Sequence, residues 1–168
     1  MTDRQRNIAT NALIMGGLFI TAGKDPVNVM TTHWGGFAQM WNREVFVLPV
    51  RKKKFTYELI EKNKSFVVNV PRSDMNNVIA RCDSLSGKGI DKFKELGLTP
   101  VPAKSLSTMT VGECGLIIEC KVIFSMDMEK SKLDPIIAKD MYINREYHNL
   151  FFGEIVNIYV QHPKPKGK

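Results

Sequence analysis

Apolar residues in this chain come in short runs broken by glycines and polar clusters. Four runs in the first half, "ALIMGGLFIT" (residues 12–21), "VNVMTT" (27–32), "EVFVLPVR" (44–51) and "SFVVNVP" (65–71), are rich in Val, Ile, Phe and Thr and read as strands. Residues 1–10 then read as an arm leading into the first strand. Between the runs, "FTYELIEKN" spaces Phe55, Leu59 and Ile60 as a helix does, with Thr56 placed to cap its first turn. A second helix is expected from Met75 to Cys82. A third is expected in "GIDKFKELGL", with Ile90, Phe93 and Leu96 on one face and Gly97 as its stop. "PVPAKSLSTM" has no period and reads as a connection. The long run "CGLIIECKVIFSMDM" predicts a strand with Ile118, Cys120, Val122 and Phe124 facing a core and Glu119, Lys121 and Ile123 facing away. "DPIIAKDMY" is a weakly patterned helix. "NLFFGEIVNIYVQ" is a last strand, in which Gly153 marks a bulge or a close backbone approach. Many short strands with few helices predict a mainly β fold, an antiparallel barrel with helices packed outside it.

Composition narrows the class without changing this picture. The 168 residues, 43% hydrophobic and 24% charged, suit one globular domain spanning 1–168, with a basic tail from residue 162. Arg4 and Arg6 before "ALIMGGLFITAG" imitate a signal peptide, but Gly16 and Gly17 interrupt the run, no A-x-A site follows, and the run is too short to span a bilayer. Cys82, Cys114 and Cys120 are odd in number and lack a C-x-x-C spacing, which argues against a disulfide framework and a zinc knuckle and fits a reducing cytoplasm.

The net charge of +7 and pI near 9.4 do change the picture, because they favour anionic partners. Nucleic acid is disfavoured, since no helix-turn-helix, RNA-recognition or zinc-finger signature accompanies the charge. The expectation is a protein without nucleic-acid or membrane partners. One basic run, "VRKKKFTYEL", sets Arg51, Lys53, Lys54 and Thr56 at a strand-to-helix junction, where free amide N–H groups and the helix dipole favour an anion. It reads either as a phosphate cradle or as a solvated loop with Thr56 as helix cap. "CDSLSGKGIDKF" repeats the arrangement with Ser84, Ser86, Gly87, Lys88 and Gly89 before a helix, and reads either as an anion-binding loop or as an ordinary serine-glycine turn.

The stretch "NVMTTHWGGFAQMW" adds what phosphate loops lack. Met30, Trp34, Phe37 and Trp41 offer an apolar wall beside the Thr31 and Thr32 hydroxyls, suited to a planar heterocycle; alternatively both tryptophans fill the core. His33, His148 and His162 form no metal-binding spacing. A G-x-S-x-G elbow and a G-x-G-x-x-G fingerprint are both absent.

In order and spacing, "NVMTTHW", "VRKKKFT", "SGKGIDKF" and "YHNLFFGEI" resemble the N-x-M-T-x-x-W, V-R-P-x-R-Y-T and S-G-R-D-x-D-K-F stretches and the closing strand of the flavin reductase-like family, especially its flavoredoxin-type members. The similarity runs from about Leu13 to Val160. It implies a Greek-key FMN-binding split β-barrel that forms a homodimer, with one non-covalent FMN per barrel near the subunit interface. By this resemblance Asn28, Met30, Thr31, Thr32 and Trp34 line the ring and ribityl chain, and Arg51, Lys54 and Thr56 bind the phosphate. Ser86, Gly87 and Lys88 reach the cofactor from the second loop, and Val29, Lys53, Phe55 and Cys82 complete the cofactor-binding set. His148 lies near the open face as the candidate catalytic residue.

Lys52 replaces the usual proline, and Lys54-Phe55 stand where Arg-Tyr is common, so point charges replace a bidentate guanidinium clamp. Lys88-Gly89 replace Arg-Asp in the second loop. The resemblance implies an FMN oxidoreductase passing electrons from NAD(P)H to a flavin, a ferric complex or a protein acceptor. Its alternatives are a flavoredoxin-type electron carrier without efficient NAD(P)H turnover, and an FMN-binding module with no redox partner.

Overall fold

The computed structural model describes residues 1–162; residues 163–168, most of the predicted basic tail, lie outside the described residues. The chain opens on a helix, α1 (Asp3–Met15), and not on an arm. The Thr2 hydroxyl accepts from the Gln5 backbone N–H while the Gln5 side chain accepts from the Thr2 backbone N–H, a reciprocal capping box. Ala9 and Leu13, four residues apart, are the buried pair, and Arg6 Nη2 reaches Glu44 Oε1 at 2.7 Å. Gly17, at φ +95°, turns the chain with the His33 ring pressed against it. The apolar run 12–21 therefore divides: residues 12–15 finish the helix, and β1 (Leu18–Gly23) begins after the glycine pair.

β2 (Val27–Thr32) returns beside β1, and β3 (Gly36–Met40) pairs with β4 (Arg43–Arg51) through a two-residue turn in which Trp41 and Asn42 both take left-handed φ. β3 was not expected from sequence, because its residues alternate poorly and follow two glycines. α2 (Phe55–Asn63) and β5 (Ser65–Val70) occupy their predicted spans. After a 3-10 turn at Ser73–Met75 come α3 (Asn76–Ser84) and α4 (Lys92–Leu96), the latter stopped by left-handed Gly97 as expected. Ile90 lies before α4 and is exposed. The "PVPAKSLSTM" connection is not structureless: β6 (Pro100–Pro102) and β7 (Met109–Val111) form a small ribbon. β8 (Leu116–Asp127), α5 (Pro135–Tyr142) and β9 (His148–Val160) complete the chain.

The seven long strands form one antiparallel sheet in the order β2-β1-β5-β8-β9-β4-β3. It is a split barrel with peripheral helices. Along the β8–β9 pair, register shifts at Glu119/Cys120 and Val122/Phe124 bend the sheet, so that side chains from both halves meet inside. Leu18, Ile20, Phe46, Phe66, Ile118 and Phe151 share that interior. Gly153 sits at the bend, where an added Cβ would fall 2.6 Å from the Phe66 ring and 2.7 Å from Cys120 Cβ. This is the close approach that its place in the strand suggested.

A second core lies on the outer face of β1, β2, β5 and β8, where Phe19, Val29, Val67 and Ile117 meet Ile79 and Cys82 of α3 and Phe93 and Leu96 of α4. Strands buried on both faces lose their alternation, which is why β1 and β5 are buried throughout. Cover by residues 104–106 corrects the expectation for β8. Glu119, predicted to face away from the core, is fully buried, and its carboxylate accepts from the backbone N–H groups of Lys104, Ser105 and Leu106 at 2.7–2.9 Å. Asn69 fixes the β6–β7 ribbon, donating to Thr21 Oγ1 at 3.1 Å and accepting from Val111 N–H at 2.8 Å. Among the described residues, no helix is long and apolar enough to cross a membrane.

Candidate functional site

The ends of β2 and β4, the start of α2 and the end of α3 come together at one side of the barrel. The β4–β9 register sets Arg51 opposite His148, and only three residues separate β4 from α2, so the 51–54 turn closes the same corner. The Lys54 N–H donates to the Arg51 carbonyl at 3.0 Å and tightens that turn.

The result is a cleft of two lobes. The wider, of about 410 Å³, is lined by residues 30–34, by Pro49, Val50 and Arg51, and by Lys54, Asp83, Arg145 and His148. That volume lies within the roughly 300–1,000 Å³ usual for small-ligand sites. The narrower, of about 250 Å³, is lined by Asn28, Met30, residues 53–56, residues 83–87 and Lys92. Met30, Lys54 and Asp83 line both, which makes the lobes neighbours along one wall.

Trp34 forms the aromatic side of the wider lobe, its ring 5.0 Å from that of His148 and edge-on to Tyr142 at 6.3 Å. The Tyr142 hydroxyl and His148 Nδ1 lie 2.7 Å apart. Burial, reinforced by the Arg51 charge, pushes the His148 imidazole down from 6.5 to about 4, so the ring is neutral near pH 7. Burial holds the Tyr142 phenol above its ordinary range, so it keeps its proton. The lobe thus presents a neutral hydrogen-bonded pair beside a fixed guanidinium. Arg51 Nε is buried on this wall with no protein partner. Buried polar atoms are rarely left so unless something else supplies the bond. Thr31 donates to Asp83 Oδ1 at 3.2 Å, while the Thr32 hydroxyl donates to the Trp34 carbonyl at 2.8 Å and so shapes the turn that presents Trp34.

The narrower lobe gathers cations and small polar groups. The Asn28 amide donates to the buried Thr56 hydroxyl at 2.9 Å, and Gly87 packs so closely on that amide that a Cβ would lie 2.6 Å from it. This explains a glycine there. Thr56 is not the helix cap that its position suggested: Lys54 is the capping residue and makes no side-chain cap bond. Lys92 is buried, and its ammonium donates to the Cys82 carbonyl at 2.7 Å with Cys82 Sγ at 3.8 Å. Burial lowers the Lys92 amine and raises the Cys82 thiol, which opposes an ion pair between them. Lys54, Arg51 and Lys92 make no salt bridge among the described residues.

The predicted residues divide accordingly. Met30, Thr31, Thr32, Trp34, Arg51, Lys54 and His148 line the wider lobe, and Asn28, Lys53, Phe55, Thr56, Ser86 and Gly87 line the narrower. Three lie off the cleft. The Val29 and Cys82 side chains point into the second core, because strand alternation turns Val29 away from Asn28 and Met30. Lys88 pairs with Glu58 at 2.6 Å over a separate hollow behind the loop. Phe37 packs on Phe46, and Trp41 packs on Phe124 and Phe152, so neither joins the aromatic wall expected of them. Asp83, Lys92, Arg145 and Tyr142 were not singled out from sequence. Asp83 and Lys92 flank the serine-glycine loop, whose position in the second anion-binding motif was the available signal.

With this geometry in view, the likeness to known proteins is specific. The flavin reductase like domain model matches residues 12–167, and the chain belongs to that family. Flavoredoxin of Desulfovibrio vulgaris (Miyazaki F) superposes with a TM-score of 0.68 at 25% identity, over 86% of this chain and 69% of that one. An FMN-binding domain of a flavin reductase-like enzyme from Shewanella baltica shares the fold at TM-score 0.65 and 19% identity, over 93% of this chain and 74% of that one. An uncharacterised protein of Archaeoglobus fulgidus is 25% identical over 139 residues, 83% of this chain and 68% of that one.

Proposed function

We propose that the two-lobed cleft binds FMN non-covalently and that the protein moves electrons through it. The observation that carries this reading is the buried, unpartnered Arg51 Nε on a cleft wall that also holds Trp34, in a chain of the flavin reductase-like family. A flat ring against Trp34 and Met30 with a polar edge toward Arg51 would satisfy that nitrogen. The phosphate belongs in the narrower lobe, where Lys54 and the buried Lys92 supply charge and Thr56 and Ser86 supply hydroxyls.

When bound, the isoalloxazine supplies reversible electron transfer. The protein's own contribution is orientation and electrostatics. Arg51 holds fixed positive charge at the wider lobe, which favours electron density arriving there. His148 stays neutral and Tyr142 protonated, so the pair positions hydrogen bonds without adding charge. Trp34 limits solvent on one side of the lobe.

We assign the donor as NAD(P)H and the acceptor as a flavin, a ferric complex or a protein. The likeness to flavoredoxin favours a second reading, an electron carrier without efficient NAD(P)H turnover. Anaerobic addition of NADH or NADPH to the FMN-loaded protein separates them. Prompt bleaching near about 450 nm, the usual flavin band, supports the reductase. Persistence of the band, with bleaching by a reduced ferredoxin-type donor, supports the carrier. The working form is a cytoplasmic homodimer. Trp41 and Phe124, an exposed aromatic pair on the sheet, mark the surface that association would cover.

A further inference from the structure

Beside the wider lobe, the β8–β9 connection forms a second groove, lined by Lys130, Leu133, Pro135, Lys139, Tyr142 and Tyr147, with Arg145 lining both spaces. Its floor is apolar and aromatic: Tyr142 and Tyr147 stack with ring centroids 4.5 Å apart and 4° between planes. Its rim is cationic. Lys130, Lys139 and Arg145 make no ion pair among the described residues, whereas Glu129, the carboxylate of the rim, is held by Lys132 at 2.7 Å. The charge left for a ligand is therefore positive.

Arg145 is the residue that decides what this groove can do, because it faces both spaces. Its backbone N–H donates to the Tyr142 carbonyl at 3.0 Å, which ties this turn of the chain to the tyrosine that also contacts His148. A molecule lying in the groove with its anionic group on Arg145 would have its adjoining part at the mouth of the wider lobe.

We propose that this groove receives the second small molecule of the reaction, a flat aromatic compound bearing a negative charge, and that Arg145 with Lys139 selects for that charge. The site rests on the FMN reading for its role in electron transfer, but its binding chemistry stands on its own residues. A nucleotide or an aromatic carboxylate would satisfy the same chemistry.

The test is calorimetric titration of the protein, with and without FMN, using 2-naphthoate, its neutral isostere 2-naphthamide, and ADP-ribose. The groove predicts that 2-naphthoate binds the FMN-free protein about tenfold or more tightly than 2-naphthamide, the scale of one charge-assisted contact. Arg145→Gln with Lys139→Gln brings the ratio close to one. Tighter binding of ADP-ribose than 2-naphthoate points to a nucleotide as the source, and the reverse points to an aromatic acid. Equal affinity for the naphthoate and the amide, or a ratio that the double variant leaves unchanged, overturns the proposal. Failure of FMN to bind refutes the flavin reading alone, because the charge preference is read without FMN.

Discussion

At the residue scale, the cleft gathers cations that no salt bridge neutralises among the described residues, Arg51 and Lys54 in the wider lobe and Lys54 and Lys92 in the narrower. Lys54 and Lys92 line the narrower lobe, and neither makes a salt bridge among the described residues, although Asp83 lines the same lobe. Replacing either removes a charge-assisted bond to an anion, a loss of about 1.5–3 kcal/mol in binding. Lys54→Ala and Lys92→Met should each weaken FMN by roughly ten- to a hundredfold on that scale, measured by fluorescence titration. An unchanged affinity in both would remove the phosphate from this lobe. Lys88→Ala, in contrast, breaks an exposed pair with Glu58 and should shift FMN affinity far less.

His148 carries the pH dependence. Its folded value of about 4 lies below the ordinary 6.5, so the unfolded chain binds a proton that the folded protein refuses. The stability linked to this group is complete above pH 6.5 and is lost as pH falls through about 4. Chemical denaturation at stepped pH should show this loss in the native protein and a shallower fall in His148→Gln. The same slope in both would place the titration elsewhere.

At the scale of elements, β2, α2 and the long strands β8 and β9 were legible because their patterns are local. Strand alternation even separates Asn28 and Met30, which reach the cleft, from Val29, which does not. Elements defined by tertiary cover were not legible. Glu119 reads as an outward residue until the 104–106 backbone is known to lie over it. α1 was hidden because its apolar end runs straight into β1 across two glycines, although Thr2 and Gln5 carried a start signal.

Gly153 is where the bend in the sheet meets the core. Gly153→Ala would drive a methyl into Phe66 and Cys120, and overpacking of this kind costs about 1–3 kcal/mol. Thermal unfolding should show the corresponding drop in Tm; a melting temperature equal to that of the native protein would mean that the bend can open without strain.

At the scale of the molecule, the split barrel sets two loops against one strand end, and the family resemblance located most of the cleft through "NVMTTHW", "VRKKKFT" and "SGKGIDKF". What the motifs did not contain was the contribution of the β8–β9 connection, Tyr142 and Arg145, because these reach the cleft only through the fold. Trp41 also changes meaning at this scale. Absent from the cleft lining and 54% exposed in left-handed backbone, it packs on Phe124 and Phe152. Trp41→Glu should convert a dimer to a monomer in sedimentation velocity, while a monomeric native protein would contradict that assignment.

The most direct measurement is titration of FMN into cofactor-free protein, following the flavin fluorescence and the visible spectrum together. The account predicts saturation at one FMN per chain, with quenching of the flavin against Trp34 and a weaker curve for Arg51→Ala. Flavin that stays fluorescent and free at every protein concentration would contradict it.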